Sequence, residues 1–151
     1  MSVDCRIVSK ESDINYYIRT YCNYVKVEVP VEYFKNQCKI LGFYCKKKGL
    51  VGGISIVVKG PYRGIGFVPT EFAKNHWFFQ EKNMAKVIET NGLWVDSLIR
   101  QSIANRVLML WALVRAITKE KRKFILVWYN KDNEKIAKFY NQSLKINKIY
   151  E

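Results

Sequence analysis

The sequence predicts one mixed α/β domain, with a mostly antiparallel central sheet and flanking helices. Three observations carry that expectation. Two β-rich runs in KILGFYCKKKGLVGGISIVVKG (39–60) flank Lys47-Lys48-Gly49, which reads as a hairpin and so as an antiparallel pair. Over 85–129 an extended run, a periodic helix and a second apolar run follow one another, and such a strand–helix–strand unit needs a right-handed parallel crossover. The 151 residues are 49% hydrophobic, enough for one core and one domain spanning 1–151.

The elements follow in order. CRIVSK (5–10) has the character of a short first strand. DINYYIRTYCNYV then places Ile14, Tyr17, Ile18, Tyr21 and Val25 on one helical face, with Ser12 as the N-cap. After the hairpin, residues 61–83 hold Pro61, Pro69, PYRGIGF and the cluster HWFF, and read as an irregular crossing segment. AKVIETNGLWVDSLI (85–99) is extended, with Gly92 as a bulge or kink. In SIANRVLMLWALVRAITKEK (102–121), Ile103, Val107, Leu110, Trp111, Val114 and Ile117 keep helical spacing. FILVWY (124–129) is apolar throughout and reads as a buried strand, and NKDNEKIAKFYNQ starts a last helix with Asp132 as N-cap.

Composition narrows the function classes. No apolar run reaches the roughly 20 residues that span a bilayer, and MSVDCRIVSKESD has no signal-peptide core, so a cytoplasmic protein with no membrane partner is expected. Cys5, Cys22, Cys38 and Cys45 include no C-x-x-C pair and His76 is the only histidine, so free, mostly buried thiols and no metal are expected. The net charge is +13, and residues 100–151 carry twelve basic against four acidic side chains. Such an excess suits a polyanionic partner, nucleic acid among them, while a solvated lysine-rich surface is the plainer explanation.

The element order resembles the GNAT superfamily of N-acyltransferases, most closely over 85–144. LWV (93–95) stands where that family's strand ends in hydrophobic-x-Val. Asn133-Glu-Lys-Ile-Ala-Lys-Phe139-Tyr140 is similar to its N-x-x-A-x-x-x-Y helix, with the Asn-to-Tyr interval of seven kept and Ala137 one place late. The hairpin resembles the family's second and third strands. The resemblance implies acetyl-CoA or another acyl-CoA as donor. It implies a cofactor site built from Leu93, Val95, Arg100, Ser102, Ala104, Asn105, Arg106 and Asn133.

Acyl transfer from a thioester to an amine needs a proton acceptor, donors for the oxyanion and an acid for the departing thiolate. Tyr140 is the candidate acid, with a core aromatic as the alternative. Glu89, on the extended segment, is the candidate base, with a solvated strand position as the alternative; Asp96 is the second choice. If the strand over 85–99 and the strand over 124–129 splay apart, a V-shaped cleft opens for the cofactor.

The family's phosphate loop is R/Q-x-x-G-x-G/A, and it must open a helix so that successive N–H groups converge on the anion. PYRGIGF has the composition but follows the hairpin, so it reads as a turn in which Gly64 and Gly66 supply permissive angles. RQSIANRV (100–107) has the setting, and Arg100 falls five residues after Val95, yet Ile103 and Asn105 replace the glycines. LWVDSLIRQSIANRV is also similar to Mom-type phage DNA-modification proteins, GNAT-like proteins with an atypical loop, which implies adenine in DNA as an acceptor. Three readings stay open: an acyl-CoA-dependent N-transferase; a catalytically silent domain binding nucleic acid through Lys46, Lys47, Lys48, Lys121, Arg122 and Lys123; and an adaptor using the aromatic segment 72–79.

Overall fold

The computed structural model describes residues 2–26, 28–128 and 149. Five strands lie in sequence order across one sheet: β1 (Val3–Ile7), β2 (Cys38–Cys45), β3 (Gly49–Val57), β4 (Val87–Val95) and β5 (Phe124–Val127). The first three pairings are antiparallel, and β4 with β5 is parallel. The mixed sheet therefore follows from the hairpin and the crossover. The first strand begins two residues earlier than its sequence pattern suggested.

Helix α1 (Glu11–Val25) carries the predicted face: Tyr17, Ile18 and Tyr21 are buried, and Ile14 and Val25 pack beside them. Glu11 and Asp13 sit in its first turn, where the helix dipole favours negative charge. Ser12 is not the N-cap. Lys10 holds that position with no side-chain cap, and Ser12 lies within the first turn. Helix α2 (Val31–Gln37), which periodicity missed, is too short to show a face and buries mainly Phe34.

The segment between β3 and β4 is a string of single turns: a 3₁₀ turn over Arg63–Phe67, α3 (Thr70–Asn75), a second 3₁₀ turn over Trp77–Phe79 and α4 (Glu81–Met84). Its aromatics pack on one another, and Phe78 lies 5.6 Å from the Phe124 ring on β5. Residues 97–99, expected to be extended, instead begin α5 (Ser97–Arg100), which leads into α6 (Ile103–Lys119).

Two cores flank the sheet. On one side α1 and α2 close over Tyr17, Phe34, Ile40 and Trp94. On the other, α6 covers Leu41, Phe43, Ile54 and Ile88 with Met109 and Ala112. The face α6 presents is not the predicted one. Ile103 is 70% exposed, Trp111 57%, and Val107 and Val114 are exposed too, whereas Asn105 is buried. Of the predicted stripe, Ile117 does pack on the core. The last strand is also less buried than its apolar run implied, with Ile125 exposed and its neighbours half-buried. All four cysteines are free thiols; Cys45 is buried and the others half-buried.

Candidate active site

PYRGIGF does cradle an anion, and the anion is the protein's own Glu89. The 3₁₀ turn aims its first two backbone N–H groups at that carboxylate: Arg63 N lies 2.9 Å from Oε2 and Gly64 N 2.7 Å from Oε1. Trp128 Nε1 donates to Oε1 at 2.6 Å. The predicted permissive angles are not what the glycines provide, since only Gly49 and Gly92 have positive φ. Gly64 is needed for close approach: a Cβ there would lie 2.6 Å from Trp128 Cδ1.

Glu89 is therefore not a solvated strand residue. It is 0% exposed and faces the α1–α2 side of the sheet. Burial raises its pKa above the ordinary carboxylate range, against the N–H bonds from Gly64, Arg63 and Trp128 and the Arg63 charge, which pull it down. The Arg63 guanidinium lies over two rings, 5.6 Å from the Tyr33 centroid and 5.1 Å from that of Trp128.

Around this pair runs a buried polar network. Strand alternation puts Asn91 on the same face as Glu89, and Asn91 Nδ2 donates to the Tyr33 hydroxyl at 2.9 Å. The Ser55 hydroxyl donates to Asn91 O at 2.9 Å and also touches Asn91 Oδ1. The Tyr17 hydroxyl donates to Gly92 O at 2.6 Å. Burial pushes the Cys38 thiol up to about 12, against hydrogen bonds from Tyr33 and Ser55. It also raises Tyr33 and Tyr21, in the latter against the charge and hydrogen bond of Arg63.

Gly92, at φ 70, is the predicted bulge. Gly53 faces Trp94 and Ser55 faces Asn91, so β4 carries an extra residue at 92–93. On its other edge β4 pairs with β5 only from Val87↔Phe124 to Thr90↔Val127. All four residues of β5 pair with β4, and residues 91–95 have no parallel partner among the described residues. Leu93 and Val95 lie on this stretch, half-buried, with Val95 facing Gly52 of β3.

The remaining predicted residues divide. Arg100, Ala104 and Arg106 are exposed around the start of α6. Ser102 caps that helix, its hydroxyl accepting from Asn105 N at 3.3 Å, and the Asn105 side chain turns inward. Asp96 lies past the end of β4, where its carboxylate is 3.6 Å from Lys48 Nζ, away from the groups that hold Glu89. Tyr140 and Asn133 lie outside the described residues, as does the helix proposed for 130–142.

The basic residues do not form one surface. Lys46, Lys47 and Lys48 occupy the hairpin tip, at the sheet end where β4 finishes. Lys121, Arg122 and Lys123 precede β5, at the end where β4 begins. The two sites are separated by the length of β4, roughly 30 Å at about 3.3 Å per residue. Arg122 is further tied to Ala85 O and lines a groove of about 770 Å³ with Tyr62 and Met84. Sequence reasoning missed Arg63, Tyr33, Asn91, Ser55 and Trp128; the available signal was the polar pair Glu89 and Asn91 inside the otherwise apolar VIETNGLWV.

Among the described residues no helix is long and apolar enough to cross a membrane, and no His, Cys, Asp or Glu cluster could hold a metal ion. No protein-family model matches the chain, and no curated protein sequence does. Solved structures do. A ribosomal-protein-alanine N-acetyltransferase from Brucella melitensis biovar Abortus 2308 superposes with a TM-score of 0.61 at 12% identity, over 97% of this chain and 93% of its own. An aminoglycoside acetyltransferase from an uncultured soil metagenomic sample gives 0.63 at 12% identity, over 100% and 96%. An N-acyl amino acid synthase from uncultured soil microbes gives 0.62 at 12%, over 90% and 76%. At these identities the likeness shows the fold, which is the GNAT-like one.

Proposed function

We propose that the chain is an N-acyltransferase that moves an acyl group from acyl-CoA, acetyl-CoA in the simplest case, to an amine. One observation carries this reading: a fully buried carboxylate, Glu89, sits on β4 three residues before its bulge. The acyltransferase fold supports it. Glu89 is the base that takes the amine's proton, and its burial raises its affinity for that proton. The amine, or one bridging water, must come beside Trp128 and Arg63 to reach it.

The bulge leaves backbone groups at Gly92–Leu93 outside the regular ladder, and such groups suit a developing oxyanion. The residues fit a cofactor phosphate at the start of α6, where Arg100 and Arg106 are exposed beside the helix N-terminus. Leu93 and Val95 would flank the acyl arm. Tyr140 is the proposed acid, with Asn133 on the same proposed helix.

A catalytically silent domain that binds nucleic acid is the second reading. It is favoured by Ser102, whose hydroxyl already occupies the Asn105 N–H that a phosphate could use. A nucleic-acid acceptor, as the Mom-type likeness implies, would have to use one end of the sheet; Lys46–Lys48 with Arg100 and Arg106 is the better end.

Calorimetric titration with acetyl-CoA, with thiol release measured over a panel of amines, separates the two. The enzyme reading expects a Kd in the range of about 1 μM to 1 mM with turnover. Binding weaker than millimolar, with no turnover of amines or nucleic acid, overturns it. Salt-sensitive retardation of DNA or RNA would then support the silent domain.

A further inference from the structure

We propose that Arg63 anchors a carboxylate on the acceptor, so that the amine acylated here belongs to a molecule of the amino-acid kind. This rests on the acyltransferase reading above and names its substrate class.

Arg63 Nη1 is buried and has no hydrogen-bond partner among the described residues. A guanidinium donor left unmatched away from water is costly, and such a group is ordinarily satisfied by an acceptor. The guanidinium lies over the Tyr33 and Trp128 rings and also hydrogen-bonds Tyr21, which leaves Nη1 for a further acceptor. A flat carboxylate docks edge-on to a guanidinium through charge-assisted bonds.

The neighbouring charge sharpens the choice. Trp128 lies under Arg63 and also donates to Glu89 at 2.6 Å, so one indole is flanked by a cation and a carboxylate. A zwitterion complements that pair: its ammonium meets Glu89, the base, and its carboxylate meets Arg63. A nucleic-acid phosphate next to Glu89 brings a like charge with no such compensation. Tyr33 and Trp128 are half-buried and Phe67 is 62% exposed, 4.9 Å from the Trp128 ring, so the acceptor would enter past these rings with its side chain against Phe67.

The test compares leucine, phenylalanine, glutamate and lysine, each against its decarboxylated amine, with acetyl-CoA and the full chain. At least one amino acid should exceed its amine in kcat/KM by about 10–100-fold, as expected of a charge-assisted bond. R63Q should bring that ratio close to one, and R63K should leave part of it. If amines turn over and no pair shows a preference for the carboxylate, the proposal is overturned while the acyltransferase reading survives. This comparison needs only the wild-type chain, so a poorly folding R63Q does not block it. If nothing turns over, calorimetric binding of an amino acid that R63Q abolishes keeps the carboxylate site and overturns the enzyme reading. Neither binding nor turnover overturns both.

Discussion

Gly64 N–H stands 2.7 Å from Glu89 Oε1, and the same glycine leaves no space for a side chain: a Cβ would lie 2.6 Å from Trp128 Cδ1 and 3.2 Å from that oxygen. The turn can hold the carboxylate only because residue 64 has no Cβ. Backbone freedom is not the reason, since its φ is ordinary.

Gly64→Ala should therefore push Trp128 away and loosen its bond to Glu89. Overpacking of this kind costs about 1–3 kcal/mol. Thermal melts should show the loss, and turnover should fall with it. A melting temperature equal to wild type would mean that Trp128 moves freely and does not fix Glu89.

Glu89 sets a pH dependence. Its pKa in the fold is raised, chiefly by burial, so ionising it costs more in the native chain than in the unfolded one. Its contribution to stability is thus fully present below the unfolded value and is lost as pH rises through the folded one. Glu89→Gln should erase that step in melts taken from acid to neutral pH. In the enzyme reading kcat/KM rises with pH as Glu89 ionises, with an acid limb above the ordinary value of about 4.3. Glu89→Gln and Tyr140→Phe should each lower turnover by about 10²–10⁴-fold. An acid limb unchanged in the Gln variant would remove Glu89 as the base.

Much of this was legible in the chain. The hairpin, the crossover and the Gly92 bulge each left a local pattern, and local patterns set strands and turns. Glu89 could be picked out as a carboxylate beside a strand break, but not its burial, because that comes from residues 63, 64 and 128, remote in sequence. Arg63 was read through its glycines, and its stacking on Tyr33 and Trp128 has no sequence signal. The exposed stripe of α6 misled for another reason. Periodicity shows that a helix has an apolar face, but not that the face turned to the sheet is the small one, with Ala112 and Met109.

The start of α6 gives a separable prediction. Arg100 and Arg106 are exposed beside a helix N-terminus whose first position is Ile103, and Ile103 itself points outward at 70% exposure. Its side chain therefore does not fill the space over the helix end. Arg100→Ala and Arg106→Ala should each raise KM for acyl-CoA by about tenfold, the scale of one charge-assisted bond, with kcat little changed. A fall in kcat at constant KM would place these arginines on the acceptor or the reacting atoms instead.

The two faces of α6 can be weighed directly. Met109 is buried against the sheet with Ile54 and Ile88 in the same cluster, so Met109→Ala leaves a cavity and should cost about 2–5 kcal/mol. Trp111, two residues on, is 57% exposed and has Arg115 Cζ 5.2 Å from its ring. Exposed cation–π pairs are worth about 0.5–1 kcal/mol, so Trp111→Ala should cost no more than that despite removing the larger side chain. Urea denaturation of both variants decides the matter. Both substitutions lie on one helix, and their propensity changes to alanine differ by less than about 0.7 kcal/mol, so a larger difference reports packing. If Trp111→Ala proves the more damaging, the stripe Ile103–Val107–Trp111–Val114 is covered in solution, and α6 buries both of its faces.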